Sequence, residues 1–406
     1  MKFLNKIIVY LILSLIGSSL SSQILNQEVV ELRQSICIDS IKANISHLES
    51  YETRYTFHPN RVEIVGWLKD KLDYYGFETR IDSFYMEDFE FPYNSGIINN
   101  EWQYNLIAEL RGIYSPDTVI IIGAHYDAYG NRDTNYYLSS PGADDNASGV
   151  SALLQIARLY HKHGLRPIKT LRLELYAIEE AGLIGSDYAA GRSVEGGVHI
   201  GSMINFDMLG YSNSSLEGQV KLIEYEGSEE LTEFAAQVAE NYTDLEPIIT
   251  GVHKESSDSY SYYAWGMKTL FIHESGNYPF YHTSKDILAN LNTDYLKKTV
   301  EYGFILAYLS VNTNDYYPVS IEEIEMGEGE SFTLLQNPSK NNISFVYSGQ
   351  TEKKRVVIQD LFGRVVWNQP LGRSGEIYNI NSPMLETGTY IISIGNKSHK
   401  LVYIKE

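Results

Sequence analysis

The chain has 406 residues, 43% of them hydrophobic. That length suits one large domain of roughly 250 to 300 residues with a sizeable core, and a smaller domain beside it. Its 52 acidic against 32 basic residues leave a net charge of -20, which repels phosphate backbones and anionic lipid and excludes nucleic acid as a partner.

At the N-terminus, Lys2 and Lys6 precede an apolar run over 7–16, followed by Gly17, Ser18, Ser19, Ser21 and Ser22. An apolar run of this length is too short to span a bilayer, so a secretory signal removed near Ser22 is expected and a membrane span is not. Cys37 is the single cysteine, so an intrachain disulfide is excluded and a cysteine-based metal or nucleophile site has no support. Residues 43–72 carry a helical pattern, with Val62, Val65, Leu68 and Leu72, and Gly76 stands where a helix C′ residue belongs. The run 118–124, with Val119, Ile120, Ile121 and Ile122, is too apolar for a half-exposed strand and predicts a buried central one. Val150, Leu153, Leu154 and Ala157 share one helical face, with Asp145 or Asn146 as cap. Leu171, Leu173 and Leu175 alternate as a strand ending at Glu179, and a helix is expected to begin near Glu180. Further strands are expected over 198–206, ending at Asp207, and over 268–273. Alternating strands and helices predict an α/β fold, a three-layer α/β/α sandwich on a mostly parallel mixed sheet.

Around 315–330 the character changes. Pro318 and the acidic stretch 322–330 lead into short alternating strands with turn signals at Asn337-Pro338, 360–363 and Gly388, the pattern of a small β-sandwich. The expected organisation is a signal peptide at 1–22, a catalytic domain at 23–315, a linker at 316–333 and a β-sandwich at 334–406.

Five stretches gather the chemistry: GAHYD around His125, PGADDNASG around Asp145, AIEEAGLIGS around Glu180, NFDMLGY around Asp207 and PFYHTSKD around His282. They fall at or just after strand ends, where an open α/β sheet leaves its crevice. Two zinc ions about 3.5 to 4 Å apart need N and O donors and one carboxylate that bridges them. One His, one Asp and a bridging Asp suffice for the first metal; a Glu, a second His and the same bridging Asp suffice for the second. Asp127, two residues after His125 in an extended segment, is placed to accept the other imidazole N–H and fix the ring. Glu179 and Glu180 point in different directions, so one can bind metal while the other takes a proton from the activated water. Alone, each fragment has a plainer account: a turn, a helix cap, a solvated acidic pair, a surface histidine. Five in this order, each after a strand or turn signal, form a site. His161, His163 and His199 are left to plainer roles.

The five stretches resemble the motifs of the secreted di-zinc aminopeptidases, the family of bacterial leucyl aminopeptidase, over roughly residues 40 to 310; the upstream SHLESYETRYTF is similar to that family's first helix and loop. The resemblance implies that His125, Asp145 and Asp207 hold one Zn2+, that Asp145, Glu180 and His282 hold the other, and that Glu179 is the general base. One departure is visible: Ser257-Asp258-Ser259 stands where the family usually reads Ser-Asp-His, which touches a substrate-side or supporting contact and not the metal set. From about Leu334 the chain resembles the sorting domains of bacterial proteins exported by the type IX system, in LQNPSKNNISF, VVIQDLFGRVVW, LETGTYIISI and KLVYIKE.

The resulting expectation is an exported, secreted or cell-surface, di-zinc aminopeptidase acting on peptides. It would meet the export machinery through its C-terminal domain and is expected to be a monomer. The Tyr and Phe content of 208–230 and 255–282 favours an apolar first residue in the substrate. A glutaminyl-peptide cyclase on the same scaffold with one zinc is the alternative; a carboxypeptidase or a non-enzymatic metal-binding protein ranks below it.

Overall fold

The computed structural model describes residues 27–113, 115–133, 135–213, 216 and 218–312. From 331 on it describes 331–334, 339–340, 343–348, 354–360, 365–371, 377–380, 385, 388–394 and 397–405. The expected signal segment and the 316–330 part of the expected linker lie outside these residues. The chain divides into two compact units, Met1–Ser320 and Ile321–Glu406.

The described elements of the first unit run in the order α1 (Gln27–Arg33), α2 (Ile38–Glu49), α3 (Arg61–Tyr74), β1 (Glu78–Glu90), β2 (Ile98–Leu110), β3 (Ser115–His125), α4 (Ala147–His163), β4 (Lys169–Tyr176), α5 (Ile184–Glu195), β5 (His199–Phe206), β6 (Gln219–Glu224), α6 (Glu229–Tyr242), β7 (Glu246–Thr250), α7 (Ser259–Ala264), β8 (Thr269–Glu274) and α8 (Thr293–Asn312). The strands form one eight-stranded sheet in the order β1-β2-β4-β3-β5-β8-β6-β7. The centre β4-β3-β5-β8 is parallel, while β2 and β6 run antiparallel to their inner neighbours, β4 and β8. Alternation along β3 builds the layers. Ile120 and Ile122 pack into one core with Val150, Leu153 and Leu154 of α4 and Phe304 of α8, whereas Val119 and Ile121 pack into another with Ala189 and Ala190 of α5 and Tyr262 of α7. The architecture is a three-layer α/β/α sandwich on a mixed sheet.

Several boundaries differ from the sequence pattern, each for a local reason. The helical run expected over 43–72 is two helices, α2 and α3. Between them Glu52 adopts a left-handed φ of 64° and Pro59 cannot continue a helix. Gly76, with φ 85°, does stand at C′ after α3. Strand β4 ends at Tyr176, three residues short of the expected Glu179, and is buried along its whole length and not alternately. Its polar residues are paired inside: Arg172 Nε donates to Glu109 Oε1 at 2.6 Å, and Nη1 lies 3.4 Å from Glu174 Oε1. The helix expected near Glu180 begins at Ile184, after a turn in which Ile178 and Leu183 have left-handed φ of 55° and 61°.

The second unit holds a five-stranded sheet, β10-β16-β15-β12-β13, and a three-stranded sheet, β14-β11-β9; these comprise β9 (Ser331–Leu334), β10 (Ser339–Lys340), β11 (Ile343–Ser348), β12 (Arg355–Asp360), β13 (Val365–Pro370), β14 (Ile377–Ile380), β15 (Gly388–Ile394) and β16 (Lys397–Ile404). Phe345 and Tyr347 from the smaller sheet share a core with Ile358, Ile392 and Leu401 from the larger, which makes a β-sandwich. Among the described residues no helix is long and apolar enough to cross a membrane.

Asn146 ties two site-bearing segments together. Its Oδ1 caps α4 by accepting from Gly149 N at 2.9 Å, and its Nδ2 donates to Phe206 O at 2.8 Å at the end of β5. Asn146→Ala removes the cap, worth about 1 kcal/mol, and leaves a buried carbonyl and amide short of a partner, about 1 to 3 kcal/mol more. Urea unfolding of the variant is expected to show a loss of about 2 to 4 kcal/mol with unchanged m-value; a loss under 0.5 kcal/mol would contradict this role.

Candidate metal centre

Parallel strands deliver their C-terminal ends to one edge of the sheet. The chain crosses from β3 to β4 on one side and then, beyond β4, to β5 on the other side of β3, so β3 marks the switch point where such sheets open a crevice. His125 is the last residue of β3, Glu179 and Glu180 follow β4, Asp207 follows β5, and His282 lies in the loop after β8. Asp145 sits immediately before the Asn146 cap of α4. Three residues in or beside this set, Ile178, Met208 and His282, have left-handed φ of 55°, 57° and 57°. Each such conformation costs of order 1 to 3 kcal/mol in a non-glycine residue, and such strain persists where surrounding structure over-determines it.

The carboxylate of Asp145 is shared between the two histidines. Its Oδ1 lies 3.3 Å from His125 Nε2 and its Oδ2 lies 3.2 Å from His282 Nε2. His125 Nε2 is also 3.4 Å from Asp207 Oδ1, and His282 Nε2 is 2.9 Å from Glu180 Oε2. Donor atoms of His125, Glu179 and Asp207 lie within 4.8 Å of one another, as do those of His125, Asp145 and Glu180. The five residues expected as metal ligands are therefore together, with Glu179 beside them.

Asp127 is close to its expected place, with a broader task. Its Oδ1 is 3.5 Å from His125 Nδ1, whose nearer acceptor is the Asp127 backbone carbonyl at 3.2 Å. The carboxylate accepts the backbone N–H groups of Glu179 at 3.2 Å and Glu180 at 3.4 Å. It thus fixes the turn that carries both glutamates as well as the ring that precedes it.

The electrostatics ask for cations. Burial pushes Glu180 up to about 7 and Glu179 well above the usual carboxylate range, with neighbouring acidic groups adding to both. Burial disfavours a charged His125 ring, yet Glu179 and Asp207 outweigh it and hold its pKa well above the ordinary value. Asp145 is also buried, but the two histidines bring it below its ordinary value. Such a set is unstable as bare charges, and a divalent cation among these donors relieves the repulsion. A second observation agrees: His282 Nε2 is buried without a hydrogen-bond partner although two carboxylate oxygens stand within 3.2 Å. Donors that converge on a central cation, and not on each other, have this geometry. His and carboxylate donors of this kind suit zinc.

Supporting residues complete the site: Asp286 and Arg54, which the sequence pattern did not single out, and the Ser257-Asp258-Ser259 segment, which it did. Asp286, inside the PFYHTSKD stretch, accepts the backbone N–H groups of Asp144 at 2.8 Å and Asp145 at 3.0 Å. Arg54, inside the SHLESYETRYTF stretch, is buried and donates from Nε to Tyr126 O at 2.9 Å and from Nη2 to Gly142 O at 2.8 Å, joining the loops that bear His125 and Asp145. Ser257 Oγ donates to Asp207 Oδ2 at 2.6 Å. Ser259, in the place where the resembling family has His, bonds Tyr225 OH at 2.8 Å. Beside it Asp258 is buried, both its oxygens lack a hydrogen-bond partner among the described residues, and burial raises its carboxyl to about 8. The floor of a cavity of about 550 Å³ is formed by Asp145, Glu179, Glu180, Asp207 and His282.

Comparison with known proteins agrees with this geometry. Residues 105–304 match Peptidase family M28, and residues 336–405 match the Secretion system C-terminal sorting domain. The probable leucine aminopeptidase of Arthroderma otae is 26% identical over 265 residues, 64% of this chain and 68% of that protein. The solved structure of LapB from Legionella pneumophila superposes with a TM-score of 0.59 at 26% identity, covering 71% of this chain and 76% of that one. The glutaminyl cyclase of Fimbriiglobus ruber, at 16% identity and a TM-score of 0.55 over 68% of this chain and 94% of its own, shares the fold.

Residues 105–304 thus carry the match to Peptidase family M28, and the donor cluster described above lies within them. The chain is a zinc-dependent aminopeptidase, and its C-terminal sorting domain makes it a secreted or cell-surface protein.

In Asp127→Asn one of the two carboxylate oxygens becomes an NH2 group facing a backbone N–H, so one amide of the Glu179–Glu180 turn loses its acceptor. Zinc affinity, measured by competition with a chromophoric chelator, is expected to fall about 10- to 100-fold. Unchanged affinity would remove Asp127 from the support of the site.

Proposed function

We propose that the protein is an exported di-zinc aminopeptidase in which His125, Asp145 and Asp207 hold one metal and Asp145, Glu180 and His282 hold the other. The observation that carries this reading is the carboxylate of Asp145, which faces His125 with one oxygen and His282 with the other. When bound, zinc supplies Lewis-acid polarisation of water and of the scissile carbonyl.

The chain's own groups do the rest. Glu179 is the acid/base: its backbone N–H is held by Asp127, and its side chain lines the cavity floor within reach of the His125 and Asp207 donors. A carboxylate oxygen of Glu179 takes the proton of the attacking water and delivers it to the leaving amine nitrogen. Glu180 differs in direction, with Oε2 turned to His282 and Oε1 accepting Tyr129 N at 3.0 Å. Residues 23–315 then form the catalytic domain, with 1–22 as signal and 316–330 as linker, and the sorting domain takes in β9 from Ser331, three residues ahead of the expected start at 334. A glutaminyl cyclase built on the same scaffold around one zinc is the second reading; the two-sided Asp145 speaks against it, and release of a free amino acid, as opposed to ammonia from an N-terminal glutamine, separates the two.

Strong chelator is expected to abolish hydrolysis of aminoacyl anilides, Zn2+ to restore it, and elemental analysis to find about two zinc ions per chain. A fully active metal-free protein would end the reading, and one zinc with cyclase activity would replace it.

The two glutamates are expected to fail differently. Glu179→Gln should keep its metal and lose about 10²- to 10⁴-fold in kcat, with KM little changed because the ligands are spared. Glu180→Gln should lose metal affinity and be partly rescued by excess Zn2+. Metal loss in the Glu179 variant with retention in the Glu180 variant would reverse the roles.

A further inference from the structure

One wall of the cavity is not apolar. Strands β6 and β8 pair antiparallel with Lys221 opposite His273 and Ile223 opposite Phe271, so Lys221, His273 and Phe271 share a face; Lys221, His273 and Phe271 all line the cavity. The alternate pair, Leu222 and Ile272, turns into the main core. His273 Nδ1 is 2.9 Å from the backbone carbonyl of Asp207, which sets this wall directly against the metal-binding floor. Lys221 is half-buried and makes no hydrogen bond, ion pair or ring contact among the described residues, and burial lowers its pKa. A partly desolvated ammonium without a counter-ion is unfavourable, the more so to leave unanswered in a chain of net charge -20.

Among the other charged groups around the cavity, Glu274 favours the Lys221 ammonium electrostatically but forms no ion pair with it. Glu274, its neighbour on β8, is fully buried; its Oε2 accepts Tyr211 N–H, and burial beside Asp144 holds the carboxyl well above its usual range. Glu255 and His253 are exposed on the loop before α7, and the Arg132 guanidinium lies 4.8 Å from the centre of the Tyr281 ring. Asp145, Glu179, Glu180 and Asp207 belong to the floor. Met208, Leu183 and Phe271 offer apolar surface to methylene groups, but a wholly aliphatic side chain there would bury the ammonium further without pairing it.

We propose that Lys221 makes this cavity selective for an acidic N-terminal residue, its ammonium pairing with the side-chain carboxylate of a substrate's first aspartate or glutamate. The proposal rests on the aminopeptidase reading above and names its substrate class, in place of the apolar first residue that the aromatic content of these loops suggested.

The test is an anilide panel on the full zinc-loaded chain with Glu, Gln, Asp, Leu and Lys as the aminoacyl group, for the wild type, Lys221→Met and Lys221→Glu. In the wild type, kcat/KM for Glu-anilide is expected to exceed that for its neutral isostere Gln-anilide by about 10- to 100-fold, the scale of a hydrogen bond to a charged group. That ratio should fall to about one or below in Lys221→Met, and Lys221→Glu should shift the preference towards Lys-anilide. Since the wild-type Glu-to-Gln ratio needs no variant, a misfolded substitution leaves the decision intact. A wild type that cleaves Leu-anilide tenfold better than Glu-anilide, or a Glu-to-Gln ratio unchanged in Lys221→Met, overturns the selectivity and leaves the aminopeptidase standing. Cleavage of no aminoacyl anilide overturns both.

Discussion

Asp145 presents one carboxylate oxygen to His125 at 3.3 Å and the other to His282 at 3.2 Å, and much of the surrounding structure serves to hold that single side chain in register. The loop before α4 has no ladder of its own, so its backbone groups must find partners elsewhere. Asp286 takes the N–H groups of Asp144 and Asp145, Asn146 caps the helix that follows, and Arg54 binds the carbonyls of Pro141 and Gly142. Gly142 has φ 55°, and a Cβ there would stand 2.3 Å from the Asp145 carbonyl, so only glycine lets the loop pass this close. Removal of any one of these supports acts on the site through Asp145.

Charge is the second constraint. Asp127, Asp145, Glu179, Asp207 and Asp258 are all buried around the same crevice, and the cationic side chains nearest these carboxylates, His125, His282 and the buried Arg54, are fewer than the carboxylates they face. Without a further positive charge the carboxyl groups drift upward in pKa, as Glu180 and Asp258 do, because burial and mutual repulsion both favour the neutral form. A metal reverses that logic by making the ionised carboxylates the stable state, so metal binding and the order of these loops are coupled. The same argument explains why Arg54 uses its guanidinium on backbone carbonyls: it brings positive charge near the site without capping the oxygens that metals need.

The sequence was most legible where one interaction dominates. The apolar run of β3, the Asn146 cap and Gly76 at C′ each follow from local chemistry, and the five motif stretches converge because four lie at or beyond the C-terminal ends of parallel strands and the fifth, around Asp145, stands at the N-terminus of α4. Legibility fails where distant residues decide. The long pair β1 and β2 reads as a mixed polar segment, since only one face of ETRIDSFYMEDFE finds cover, as at Phe84. β4 hides Arg172 and Glu174, which look like solvent-facing positions until Glu109 and Tyr262 supply partners. The helix expected at Glu180 starts four residues later because the metal-facing turn takes left-handed φ values that its sequence does not advertise. Arg54, Asp286 and Ser257 lay within stretches already quoted, yet their roles depend on loops brought together only by the fold.

The division of the chain follows from the same physics. Every residue assigned to the metal, the proton transfer and the cavity wall falls between His125 and His282, on strands and turns whose hydrophobic support comes from the α/β/α core. The β-sandwich has its own core, with Phe345, Ile358 and Ile392 from both sheets. A catalytic site built on rigid strand ends draws its geometry from those strands. The sorting domain is then free to be read by the export apparatus on its own surface, and chemistry and address can be selected independently in one polypeptide.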